Sequence, residues 1–271
     1  MDYFHIIRNQ NKDTDLKITN VIKRFLENNN RTCTFEGEIP DNTECIMVLG
    51  GDGTLLQVAC ETIDRNIPLI GVNLGRLGYL AEIEHTDIEE ALLQLINNDF
   101  IIEERMMIEG NVYRKDNKIQ NMYGLNDIVV TRDGDSQILS YHIYVNNQNL
   151  YHYYADGIIV ATPTGSTGYS LSAGGPIVEP NANLMVITPI CPHTIHSRSV
   201  ILSDKDEVVI EIGIGKKHEK QYARVSFDGD NVTSLTTGDR VSIKKFNKKT
   251  KIIRLNQVSF LKVLHKKMSS T

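Results

Sequence analysis

The stretch that decides the fold is Cys45-Ile46-Met47-Val48-Leu49-Gly50-Gly51-Asp52-Gly53-Thr54-Leu55-Leu56-Gln57-Val58-Ala59. The apolar run before Gly50 predicts a strand buried on both faces. The run from Leu55 predicts a helix, so three glycines and one acid occupy a strand-to-helix turn. Glycines there let the backbone come close to a bulky anion. The helix N-terminus that follows offers N–H groups and positive potential. Asp52 sits inside this anion-attracting turn, where a carboxylate repels phosphate unless it takes a proton or holds a metal. The turn is not a P-loop, because no G-x-x-x-x-G-K-[ST] occurs in the chain. Nor is it a dinucleotide fingerprint, because the third glycine of G-x-G-x-x-G is missing.

Outward from this turn, the first third alternates strand and helix. Residues 3–8 predict a strand, and 13–28 an amphipathic helix with Leu16, Val21, Ile22, Phe25 and Leu26 as its apolar stripe. A helix is expected over 54–65 and a strand over 68–72. Thr86-Asp87-Ile88-Glu89 has capping-box form and opens a helix that ends near Asn97-Asn98. Short connections and continuous apolar strands predict a parallel sheet covered on both faces. Beyond about Phe100 the runs become short, β-branched and aromatic. Lys115-Asp116-Asn117-Lys118 and Asn146-Asn147-Gln148-Asn149 read as hairpin turns. Strands are expected over 128–131, 139–145, 157–161, 184–188, 207–212, 222–227 and 240–244. The expectation is an α/β domain over 1–100 carrying the glycine turn, and a β-rich domain of sandwich type over 101–271. The C-terminal tail is a candidate to return to the first domain.

Composition narrows the function classes. The chain has 271 residues, 41% of them hydrophobic, which suffices for two ordinary domains. A net charge of −5 supplies no global field for nucleic acid or an anionic membrane. The one basic cluster, over 244–251 with Lys266-Lys267 behind it, reads as solvated surface. No apolar run approaches a membrane span, and Met1 leads straight into a short strand, so no leader or membrane partner is expected. Cys33, Cys45, Cys60 and Cys191 form no C-x-x-C pair and read as reduced thiols of a cytoplasmic protein. Cys191-Pro192-His193-Thr194-Ile195-His196 fits no usual zinc spacing.

Four further segments carry polar chemistry. Asn73-Leu74-Gly75-Arg76-Leu77-Gly78-Tyr79 follows the next strand, and adjacent parallel strands bind ligands at their C-terminal ends. There Arg76 suits a phosphate and Tyr79 a ring, although a plain glycine-rich connection reads the same way. Gly124-Leu125-Asn126-Asp127 offers donors and acceptors suited to a ribose diol or an amide edge, or a simple strand-entry cap. Asp156-Gly157, a strand, and then Thr162-Pro163-Thr164-Gly165-Ser166-Thr167-Gly168-Tyr169-Ser170-Leu171-Ser172 gather many hydroxyls around one turn. Its tight apolar flanks argue against a loose linker. Asp228-Gly229-Asp230 reads as a turn with a further polar contact.

In this order the segments resemble the NAD kinase family: GGDGT at 50–54, NLGRLGYL at 73–80, LNDIVV at 125–130, DGIIVATPTGSTGYSLSAGGP at 156–176, then PICPH at 189–193 and SRS at 197–199. GGDGT alone is shared with lipid and sugar kinases; the combination is far more specific. Gly168 stands where members usually carry Ala, and Asp127 where many have Glu. Glu179, His196 and Ser199 replace the more usual His, Asn and Pro, and Tyr154 a basic residue found in some members.

The resemblance implies a Rossmann-like or phosphofructokinase-like first domain, a β-rich second domain, and a site between them. It implies transfer of the γ-phosphoryl of ATP, or of polyphosphate in some members, to the 2′-hydroxyl of the adenosine ribose of NAD. Mg²⁺ or another divalent cation would ride on the donor, with no protein side chain assigned to it. Homodimers or homotetramers are implied, in which a neighbouring subunit helps line the site. Asp52 is then the catalytic base, and Gly50, Gly51, Gly53, Thr54 and Arg76 face phosphate. Asp52, Gly53, Tyr79, Asn126, Asp127, Tyr154, Asp156, Thr164, Thr167, Gly168, Tyr169, Ser170, Leu171, Ser172 and Cys191 are the positions implied to contact NAD. A diacylglycerol-type lipid kinase and a non-catalytic NAD(P) sensor are the alternatives; the first lacks an obvious membrane-facing surface, and the retained Asp52 argues against the second.

Overall fold

A computed structural model describes residues 1–75, 78–84, 86–134, 138–193, 197–215, 218–255 and 260–269. The chain divides into two compact units, Met1–Arg105 with Lys249–Thr271, and Met106–Lys248.

The first unit is built from β1 (Tyr3–Arg8), α1 (Lys17–Asn28), β2 (Thr32–Phe35), β3 (Cys45–Gly50), α2 (Asp52–Glu61), β4 (Leu69–Asn73), β5 (Ile83–Glu84) and α3 (Ile88–Ile96). Strand β1 lies between β2 and β3, and β4 extends the sheet beside β3, all in parallel. Every residue of β3 and β4 is buried, as continuous apolar runs in a covered parallel sheet require. Ile22 and Leu26 of α1 and Leu92 and Leu95 of α3 join Phe4, Met47 and Ile70 of the sheet in one core.

Three local expectations are corrected. Helix α1 begins at Lys17, after Asp13, because the buried Asp13 carboxylate takes the N–H groups of Ile18 (3.0 Å) and Thr19 (3.1 Å) from outside the helix. Val21 lies off the apolar stripe and is 42% exposed. At α3 the N-cap is Asp87 without a side-chain capping bond, and Thr86 spends its hydroxyl on the Asp87 carboxylate (2.9 Å), so no capping box forms.

The second unit comprises most of β6 (Ile101–Arg114), then β7 (Asn117–Gly124), β8 (Asp127–Arg132), β9 (Leu139–Val145), β10 (Gln148–Ala155), β11 (Gly157–Ala161), a 3₁₀ turn (Thr164–Thr167), α4 (Tyr169–Ser172), β12 (Leu184–Ile190), β13 (Val200–Ser203), β14 (Val208–Ile212), β15 (Tyr222–Phe227), β16 (Asp230–Thr236) and the start of β17 (Arg240–Arg254). One antiparallel sheet runs β13-β12-β11-β8-β15-β16; β10-β9-β14-β17 forms the other, with β6 pairing β17 and β7. Tyr141, Ile210 and Val241 of one sheet pack against Ile128, Ile158 and Phe227 of the other, which makes a sandwich core. Both expected hairpin turns form, with Lys115 and Asp116, and Asn146 and Asn147, at positive φ as a two-residue turn demands.

The chain crosses from one unit to the other inside β6 and inside β17, so neither crossing is a linker. The end of β17 returns to the first unit and pairs in parallel with β4, Ile252 beside Leu69, before α5 (Phe260–Met268). In the basic cluster, Lys244 pairs with Glu109 (3.1 Å), Lys245 with Asp204 and Lys249 with Glu104 (2.9 Å), so much of its charge is matched. The side chains of Lys266 and Lys267 lie outside the described residues. Among the described residues no helix is long and apolar enough to cross a membrane.

Candidate active site

In the first unit, β3 ends at Gly50, Gly51 is the extended N-cap of α2, and Asp52 is its first residue. The Gly51 carbonyl takes the N–H groups of Thr54 (3.0 Å) and Leu55 (3.2 Å), so the helix closes at once. A Cβ on Gly50 would collide with the Thr54 side chain, whereas nothing lies within 4 Å of a Cβ on Gly53. The Leu74 N–H donates to the Gly50 carbonyl at 2.9 Å, which ties the second glycine segment to the first. Asn73 shapes that segment, accepting the Gly75 N–H and donating to its carbonyl, both at 3.0 Å. Arg76 and Leu77 lie outside the described residues.

Among the described residues, the Asp52 carboxylate is anchored by main-chain N–H groups. Its Oδ2 accepts the N–H of Tyr79 (2.7 Å), and its Oδ1 those of Leu80 (3.1 Å) and Ala81 (3.2 Å). Gly78 permits this approach, since a Cβ there would overlap the carboxylate. Tyr79 is half-buried, and burial pushes its phenol up. Lys12 was not singled out from sequence. Its ammonium lies 3.3 Å from where a Cβ of Gly51 or of Gly75 would stand, at the mouth of both glycine segments. A lone exposed lysine in a polar stretch carries no signal of this in sequence.

In the second unit, the Asp228 carboxylate gathers the N–H groups of Leu125 (2.7 Å), Asn126 (2.8 Å) and Asp127 (2.9 Å), and its own N–H returns to the Asp127 carbonyl (3.0 Å). Asp127 is 5% exposed. Burial, and then the charge of Asp228, push its carboxyl up to about 7. The 3₁₀ turn packs onto Asn126: Thr162 donates its N–H to the Asn126 carbonyl (2.8 Å), and a Cβ on Gly165 would strike that carbonyl. A Cβ on Gly168 would point toward the Asn126 amide (3.6 Å) and Asp127 Oδ2 (3.9 Å). A cavity of about 410 Å³ opens here, lined by Asn126, Asp127, Thr131, Tyr169, Arg224, Ser226 and Asp228 among others. Arg224 is a lining residue that sequence reasoning missed.

The hydroxyls of the turn divide. Thr164 is buried, and Thr167 Oγ1 donates to its carbonyl at 3.3 Å. Ser170 is fully buried, and its hydroxyl pairs with Thr188 Oγ1 (3.1 Å), so it serves the interior. Tyr169, Leu171 and Ser172 are exposed.

Tyr154, Asp156 and Cys191 belong to a different place. Asp156 precedes β11, whose far end, Ala161, pairs with Asp127. At about 3.3 Å per residue the strand sets the two groups more than roughly 13 Å apart. Asp156 is paired with Arg132 (3.1 Å), the exposed Cys191 has φ 44°, and Tyr154 leans on His152 with ring centres 4.8 Å apart. One chain therefore does not bring these three together with Asn126 and Asp127.

The comparisons agree on a kinase. Sequence models of the ATP-NAD kinase N-terminal domain and C-terminal domain match residues 9–100 and 125–255. The NAD kinase of Agathobacter rectalis is 44% identical over 284 residues, covering 100% of this chain and 99% of the relative. That of Lachnospira eligens is 40% identical over 293 residues, covering 99% and 100%. The crystal structure of yeast NADH kinase complexed with NADH superposes with a TM-score of 0.83 at 21% identity, covering 99% of this chain and 88% of that one. An Archaeoglobus fulgidus NAD kinase in complex with ATP gives 0.79 at 23% identity, covering 98% and 99%. At such identities these two establish the fold: an α/β unit with a mostly parallel sheet and an antiparallel β-rich unit. The chain belongs to the NAD kinase family, whose reaction is the ATP-dependent phosphorylation of NAD.

Proposed function

We propose that Asp52 is the general base of this reaction: it accepts the proton of the adenosine-ribose 2′-hydroxyl as that oxygen bonds to the γ-phosphorus of ATP and the bond from that phosphorus to the β,γ-bridging oxygen breaks, so that ADP leaves. The single observation that carries the reading is the three-amide anchor of its carboxylate. A ribose hydroxyl is a poor nucleophile, and the loose transition state of phosphoryl transfer is served mainly by positioning and charge neutralisation. Gly50, Gly51, Gly53 and Thr54 offer main-chain groups to the donor phosphates, and Lys12 adds a positive charge at the same mouth.

The cavity of the second unit takes NAD: Asn126 and Asp127 hydrogen-bond it, and Tyr169 stacks on a ring. With its carboxyl near 7, Asp127 can donate as well as accept around neutrality. Tyr154, Asp156 and Cys191, set apart along β11, would serve the dinucleotide of a neighbouring copy in a homodimer or homotetramer.

Among the described residues no three His, Cys, Asp or Glu side chains are grouped for a metal. A single carboxylate near phosphates fits Mg²⁺, which binds through one or two carboxylates plus substrate phosphates. Carried on the donor, the ion would neutralise charge on the phosphate oxygens.

The test is to incubate the protein with NAD, Mg²⁺ and either ATP or polyphosphate and assay NADP. Phosphate on the 2′-oxygen is expected with ATP, and the polyphosphate arm decides donor range. Binding of NAD without any turnover would contradict the reading.

A further inference from the structure

The returning end of β17 reaches the segment that anchors Asp52. Arg254, its last residue, directs Nη1 to the Leu80 carbonyl (3.4 Å) and to Glu82 Oε2 (3.3 Å). Its Nε donates to Glu103 Oε2 at 3.1 Å. The next N–H, of Leu255, goes to the other Glu82 oxygen at 3.0 Å. The Arg254 and Glu82 side chains are 15% and 12% exposed, so water screens this pair little. Burial would raise the Glu103 carboxyl; the guanidiniums of Arg105 and Arg254 outweigh it and hold it low.

One peptide plane links this cluster to the acid. The Leu80 carbonyl and the Ala81 N–H belong to the same rigid peptide group. Arg254 holds its oxygen, and the Asp52 carboxylate holds its N–H (3.2 Å). Turning the plane to release one bond releases the other. A cation on the oxygen also polarises the group and strengthens its N–H as a donor.

We infer that Arg254 is a positioning residue for phosphoryl transfer: it fixes the Leu80–Ala81 peptide and thereby the orientation of Asp52. Arg254 acts through that peptide. The inference rests on the reading of Asp52 as the base.

The test compares kcat and KM for Arg254→Met, Arg254→Lys, Asp52→Asn and the double variant Asp52→Asn/Arg254→Met in the full-length protein. Arg254→Met is expected to lower kcat roughly 10- to 100-fold, with KM for NAD and ATP within about threefold, as a small misplacement of a reacting group does. Arg254→Lys recovers part of the loss, because an ammonium keeps the charge without the planar fork. The double variant turns over as Asp52→Asn does, within about twofold, because both changes act on one group. A kcat for Arg254→Met within about twofold of the parent, or its full loss repeated on the Asp52→Asn background, would overturn the inference alone. Near-normal turnover of Asp52→Asn overturns the reading of the base and this inference with it. Should Arg254→Met fail to fold, Glu82→Gln removes one of the two carboxylate partners of Arg254, the one beside the Leu80 carbonyl, and is expected to lower kcat in the same direction; an unchanged kcat there overturns the inference.

Discussion

The carboxylate of Asp228 accepts the main-chain N–H of Asp127 at 2.9 Å, and the two acids, 101 positions apart in sequence, share the wall of one cavity. Asp127, buried beside it, is the acid whose carboxyl is pushed up, by burial first and then by the charge of Asp228.

This arrangement makes stability depend on pH with a definite sign. The Asp127 carboxyl rises from 3.8 to about 7 on folding, because of burial first and Asp228 second. The folded state therefore binds the proton more tightly. The contribution is fully present below about pH 4 and is lost as pH rises toward 7. Asp127→Asn lacks this loss, so its stability relative to the parent should grow between pH 5 and pH 8, by on the order of a few kcal/mol. Urea unfolding at the two pH values measures it, and a difference that does not change with pH would contradict it.

Asp228→Asn tests the amide cradle. The neutral side chain presents one acceptor oxygen to the N–H groups of Leu125, Asn126 and Asp127. The variant should lose about 1–3 kcal/mol of stability and bind NAD more weakly. Thermal unfolding and calorimetric titration with NAD report the two effects.

Much of this was legible in the sequence, and the failures have identifiable causes. Strands β3 and β4 were read because uninterrupted apolar runs have few other uses. Strand β2 was not, because Thr32–Phe35 is only four residues long and just one of them, Cys33, is buried. The start of α1 was misplaced because Asp13 caps it from a distance that no local pattern records. The glycine turn and its acid were visible; the amides that hold the acid lie 27 to 29 positions away and were not. The separation of Asp156 from Asn126 needed the register of β11 on β8, which adjacent motifs in a sequence hide.

Gly78→Ala should disturb catalysis before it disturbs the fold. The added methyl group would occupy the place of the Asp52 carboxylate. Turnover is expected to fall roughly 100-fold, with a stability loss of about 1–3 kcal/mol. Unfolding measured beside kcat separates the two, and a normal kcat in the folded variant would show that the carboxylate position is not critical.

If Asp156 serves a neighbouring copy, two inactive proteins should rescue each other. Asp52→Asn and Asp156→Ala, mixed and allowed to exchange subunits, should regain roughly a quarter of the parent activity for randomly formed dimers with one intact site in each mixed pair. A mixture no more active than its components would place Asp156 outside any shared site.

The most direct measurement is made on Asp52→Asn, with NAD affinity by calorimetry and NADP formation on the same preparation. The account predicts affinity within about threefold of the parent and turnover lower by roughly 10²- to 10⁴-fold, as loss of a base requires. Unchanged affinity with near-parental turnover would contradict it.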